Sequence, residues 1–237
     1  TDLNKLGRVK LVSHCMHDKR YDNYVLREYL AYKVHNIITD YSFRVRLLNI
    51  TYYDIDSKKL HANKTGFIIE PVKMLGERFG KKELEDIQIM PGDIEDELLL
   101  KLSVFQYLIA NSDWDVPMMH NVKIFGNKDA PHELIAVPYD FDFTGWVDSH
   151  YAVARTDLGL EEITDRAFFG PCRDEEDYRP VLDYFLELEN NIIDTIKDFE
   201  YLKGGEKRAL LWFVKDFYRL YRKDEIMNIF MEACSNK

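Results

Sequence analysis

Residues 111–142, NSDWDVPMMHNVKIFGNKDAPHELIAVPYDFD, decide how this chain is read. Two apolar runs, Val122 to Phe125 and Leu134 to Val137, flank Gly126-Asn127, the composition of a hairpin turn. Polar residues gather at the hairpin's two open ends. Asn111, Asp113, Asp115, His120 and Asn121 precede it, and Asp140 and Asp142 follow it. A turn needs one Asn or Asp, not seven polar and acidic residues at the two ends of one hairpin. The hairpin therefore brings hard oxygen donors to one edge of the fold. Such donors suit Mg²⁺ or Mn²⁺, because Mg²⁺ takes one or two carboxylates and completes its shell with water and substrate phosphates. A further carboxylate can orient a substrate hydroxyl or accept its proton.

Upstream of this stretch, Asp93 is expected to cap an apolar helix running through Leu98, Leu102, Phe105, Leu108 and Ile109 to a stop at Asn111. Val9 to Cys15 reads as a strand carrying Lys10, and Asp22 to Ile38 as a helix with Asp22 at its cap. Phe43 to Tyr53 and Thr65 to Ile69 form a second hairpin, and a short helix opens at Pro71 and runs to Phe79. From Glu161 to Ala233 the pattern is mostly helical, broken at Pro171, Pro180 and Gly204-Gly205. The expectation is an α+β fold, a small antiparallel sheet with one helix followed by a mostly helical part.

Composition narrows the classes. The chain has 237 residues, 32 Lys+Arg against 42 Asp+Glu, a net charge of −10, and 46% hydrophobic residues. It is long and apolar enough to build a core, and disorder is excluded. The acidic balance and the lack of a basic run argue against nucleic-acid binding, and no run reaches the roughly 20 apolar residues of a membrane span. Cys15, Cys172 and Cys234 permit at most one disulfide. The chain begins at Thr1, so a signal peptide or other upstream sequence is expected to be missing from it, and the compartment, cytoplasmic or exported, stays open.

The order of these elements resembles the protein-kinase-like superfamily, most closely the atypical branch typified by the spore-coat CotH kinases and its bacterial relatives. In that family a catalytic Asp is followed by a metal-binding Asn, a hairpin, and a metal-binding Asp in a DFG-like triplet. The resemblance implies Asp113 as catalytic residue, Asn121 and Asp140 as metal ligands, and Asp142, the second acid of the triplet, as a further metal ligand. It implies further that Lys10 contacts nucleotide phosphates, that Glu28 pairs with it, and that Glu70 closes the adenine-side hinge at Phe67-Ile68-Ile69-Glu70-Pro71. On this view residues 1–70 are an N-lobe-like sheet and helix, and 71–237 are a mainly helical C-lobe with its active-site hairpin at 111–142. The cofactors would be ATP with Mg²⁺ or Mn²⁺, and the acceptor a hydroxyl on a protein or small molecule. Adenylyl transfer would use the same ligands.

The pattern also departs from the family. Asp113 and Asn121 lie eight positions apart, a wider step than in the H-R-D-x-x-x-x-N pattern, so Asp115 competes for the catalytic role. Asp113 is preferred because it lies two residues past Asn111, at the end of the apolar helix. No Gly-rich phosphate loop precedes Lys10.

Plainer roles compete with these. Lys10 can be a solvent-facing strand lysine and Glu70 a helix cap, and Glu28, beside Arg27 on an amphipathic helix, is expected at the surface. His14 and Cys15 point to opposite faces of a strand, so with His17 they make a poor zinc site. A catalytically silent binding or scaffold protein, or a metal-dependent phosphohydrolase, are the alternative functions.

Overall fold

A computed structural model describes residues 8–16, 18–127, 130 and 133–235. The chain segment that includes Gly7, and His17 of the His/Cys group, lie outside the described residues. The fold is α+β, with two small antiparallel sheets and seven α-helices among the described residues. The first sheet has strand order β1-β3-β2, built from β1 (Lys10–Val12), β2 (Val45–Tyr53) and β3 (Leu60–Ile69). Helix α1 (Lys19–Ile38) packs on it. The register sets Lys10 opposite Ile69, at the end of β3 next to Glu70.

The hairpin expected across Gly126-Asn127 exists as β5 (Val122–Gly126) and β6 (Ile135–Pro138), and its sheet gains an unforeseen third strand, β4 (Lys82–Leu84). Helix α2 (Val72–Phe79) links the two sheets in sequence and contacts β4, and α3 (Asp96–Leu108) lies between β4 and β5 in sequence and contacts β6. The C-terminal part is α4 (Glu175–Glu187), α5 (Glu189–Asp198), α6 (Gly204–Arg222) and α7 (Glu225–Ser235).

One apolar core joins the parts. It runs from Phe67 of the first sheet through Phe105 and Phe141 to Phe217 and Phe230 of the C-terminal helices, and a smaller cluster underlies the second sheet. Helix α1 is enclosed accordingly. Beyond the sheet, it meets α5, and buried Arg27 reaches Glu206 of α6 at 2.7 Å.

Several boundaries differ from expectation, each for a local reason. Helix α1 starts earlier, because the Asp18 side chain, not Asp22, accepts the Arg20 amide at 2.9 Å; Asp22 pairs instead with Lys64 of β3. Glu95 rather than Asp93 caps α3 through the Leu98 amide, while Asp93 holds the Met90 amide in a 3₁₀ turn. Residues 161–174 are irregular rather than helical, and Asp165 Oδ2 accepts the Glu161 and Glu162 amides, folding the segment into a local side-chain-to-backbone turn. Pro180 does not break the chain. It lies in the second turn of α4, whose buried Tyr178, Val181, Leu182 and Phe185 hold the helix against the core. Gly204, at φ +55, opens α6 rather than ending a helix. Cys172 and Cys234 form the one disulfide the cysteine count allows, joining the segment before α4 to the end of α7, and Cys15 is free and exposed.

Candidate functional site

Asp113 is held from the core side. Asn111, almost fully buried, donates from Nδ2 to Gln106 Oε1 on α3 (2.9 Å), and its Oδ1 accepts the Asp113 amide at 2.8 Å. From the hairpin side, Asn121 Nδ2 donates to the Asp113 carbonyl (2.8 Å) and to its Oδ2 (2.9 Å), and His120 Nε2 lies 2.8 Å from Oδ1. Both oxygens of this carboxylate are therefore oriented. Asp115 is employed differently. It pairs with His120 through two backbone hydrogen bonds and accepts the Met118 amide on its own Oδ1, which makes it the cap of the exposed turn between them.

The hairpin carries this geometry across to the triplet. The Asn121 carbonyl accepts the Tyr139 amide at 3.0 Å, so Asn121 stands beside the residue preceding Asp140. Asn121 and Asp140 both adopt left-handed backbone, φ +51 and +64, conformations that Asn and Asp tolerate better than most residues. The Asp140 amide donates to the Tyr32 hydroxyl of α1 at 2.9 Å, and Asp140 Oδ2 meets Lys10 Nζ at 3.3 Å. The Lys10 ammonium also sits over the Tyr139 ring, 5.2 Å from its centroid. Phe141 is buried between Tyr32 and Phe105 and locks the triplet to α1 and α3.

Glu28 is not at the surface. Its side chain is enclosed, and its carboxyl accepts the Phe141 amide. Helical periodicity alone placed it outside because it cannot show that the triplet covers that face of α1. Burial first, then the charges of Asp140 and Asp142, push its pKa up to about 8, while Lys10 acts in the opposite direction. The ion pair that Lys10 makes is with Asp140, not Glu28. Asp142, half-buried, is also raised, by burial, by the Asp140 charge and by a hydrogen bond between the two acids; Tyr151 donates to its Oδ2 at 3.3 Å. Glu70 is turned elsewhere. Its carboxylate is clamped by Arg78 at 2.9 Å and by the Arg44 amide at 3.2 Å, joining α2 to the first sheet.

Two cavities flank the cluster. One of about 370 Å³ is lined by Lys10, Phe43, Ile69, Glu70, Tyr139 and Lys123. The other, about 630 Å³, has Asp113, Trp114, His120 and Arg155 among its walls.

The donor set suits a hard divalent cation in part. Asp140 and Asp142 are two acids crowded enough to raise one of them, and Asn121, having spent its Nδ2 on Asp113, offers Oδ1. Among the described residues, no group of three or more His, Cys, Asp or Glu side chains is arranged to hold a metal, so substrate oxygens and water would have to complete the shell. Three contributors were not foreseen: Tyr32, Tyr151 and Arg155. Only Tyr32 had a signal, since it lies one helical turn after Glu28 and faces the same way. No family model, curated protein or solved structure matches the chain.

Proposed function

We propose that this protein is an ATP- and divalent-metal-dependent phosphotransferase of atypical kinase type, moving the γ-phosphoryl group to a hydroxyl. The observation that supports the reading is the convergence of Asp113, Asn121, Asp140 and Asp142 at the open end of one hairpin, with Lys10 reaching over to Asp140. A cation on Asp140, Asp142 and Asn121 would screen phosphate charge. Lys10 would then exchange Asp140 for phosphate oxygens, and the 370 Å³ cavity beside it would receive the base. The acceptor oxygen attacks the γ-phosphorus, the bond to the bridging oxygen breaks with its electrons leaving on ADP, and the hydroxyl proton passes toward Asp113.

Thermal unfolding with and without Mg²⁺-ATP tests the site. Nucleotide should raise the melting temperature of the wild type and not of Asp140→Ala; an equal shift in both refutes the assignment. A second reading, a nucleotide-binding module without transfer, is favoured by the lack of a three-ligand metal group among the described residues. Stabilisation by ATP with no phosphorylated product under any acceptor would select it.

A further inference from the structure

We infer that the 630 Å³ cavity beside Asp113 is the acceptor subsite and that it takes a small hydroxyl compound carrying amino groups. The inference rests on the phosphotransferase reading and adds to it the class of acceptor.

Position comes first. The two cavities share no lining residue, and Asp113 and His120 line the larger one, so a hydroxyl held there lies against the oriented carboxylate, in a cavity separate from the one that Lys10 lines. The volume is that of a small-molecule site, which ranges over about 300–1,000 Å³.

Charge then selects the class. Arg155 is the one Lys or Arg among the lining residues, and it is already committed: its Nε and Nη2 meet the two Asp157 oxygens at 2.9 and 2.8 Å, and Nη1 lies 3.5 Å from the Ser112 carbonyl. An incoming phosphate or carboxylate would have to displace Asp157 and approach Asp113 and Asp115, both on the wall. An ammonium meets the reverse conditions. Asp115 stands on the wall with Oδ1 holding the Met118 amide, and Trp114 and Phe169 supply aromatic walls that suit a cation or the apolar face of a sugar.

Binding to the full chain in the presence of Mg²⁺ and a non-hydrolysable ATP analogue can be compared for three two-residue sugar probes: di-glucosamine, neutral cellobiose and cellobionate, the last with its acid on an open-chain residue. Di-glucosamine should bind at least tenfold more tightly than cellobiose, and cellobionate more weakly than either. Asp115→Asn, whose amide oxygen can still cap the turn, should erase most of the preference for the amine. Cellobionate binding as tightly as di-glucosamine, or an amine preference unchanged in Asp115→Asn, overturns the inference. The thermal shift with Mg²⁺-ATP separates the two levels: a wild-type shift without amine preference defeats the acceptor class alone, whereas no shift defeats the phosphotransferase reading and the inference with it.

Discussion

Replacing Glu28 with Gln should stabilise the protein, and by an amount that depends on pH. Glu28 is buried under the triplet with its carboxyl at about 8 against an ordinary 4.5, so the fold favours its protonated form. A raised carboxyl costs nothing below 4.5, where folded and unfolded chains are both protonated. Between 4.5 and about 8 the unfolded chain releases a proton that the folded chain keeps, and stability falls by about 1.4 kcal/mol per pH unit. The loss amounts to about 3 kcal/mol at pH 7 and about 5 kcal/mol above pH 8, where it levels off. Gln has the same shape and no such titration. Urea unfolding of Glu28→Gln and wild type from pH 4 to 9 should therefore show curves that start at a constant offset and diverge steadily from pH 4.5, the variant becoming the more stable. Curves that stay parallel across that range would refute the claim that the fold holds this carboxyl protonated.

Three further outcomes are expected. In single-turnover phosphoryl transfer, Asp113→Asn should lower the chemical step by roughly 10²–10⁴-fold with nucleotide binding nearly intact, and Asp115→Asn should be much milder; the reverse order would move the catalytic role to Asp115. His35, stacked on Phe105 and held by burial at about 3, stays neutral in the fold, so stability is lost as pH falls below 6.5 and the unfolded chain gains its proton. His35→Leu should remove about 3 kcal/mol of the loss between pH 6.5 and 4, measured as the difference between the two urea midpoint profiles. Reducing the Cys172–Cys234 bridge, whose residues are 62 positions apart, should cost about 4 kcal/mol by the chain-entropy relation; an unchanged urea midpoint in reductant would show that the bridge does not constrain the unfolded chain.

What the sequence determined by itself was local. The hairpin at 122–138 and the acids at its ends follow from spacing and turn chemistry over about thirty residues, and the helical and strand periods of α1, α3, β2 and β3 are likewise short-range properties. The preference for Asp113 over Asp115 also had a local basis, the end of α3, and Asn111 provides the link by bonding Gln106 on one side and the Asp113 amide on the other. The tertiary structure decided everything that depends on which surfaces meet. Glu28 changes from a surface acid to an enclosed one because Phe141, more than a hundred residues later, lies over it. Lys10 finds Asp140, Glu70 is taken by Arg78, Cys172 finds Cys234, and Pro180 is tolerated within α4. Periodicity reports that a face will be covered and is silent about what covers it; burial, charge partners and the pKa of a carboxyl are properties of the cover.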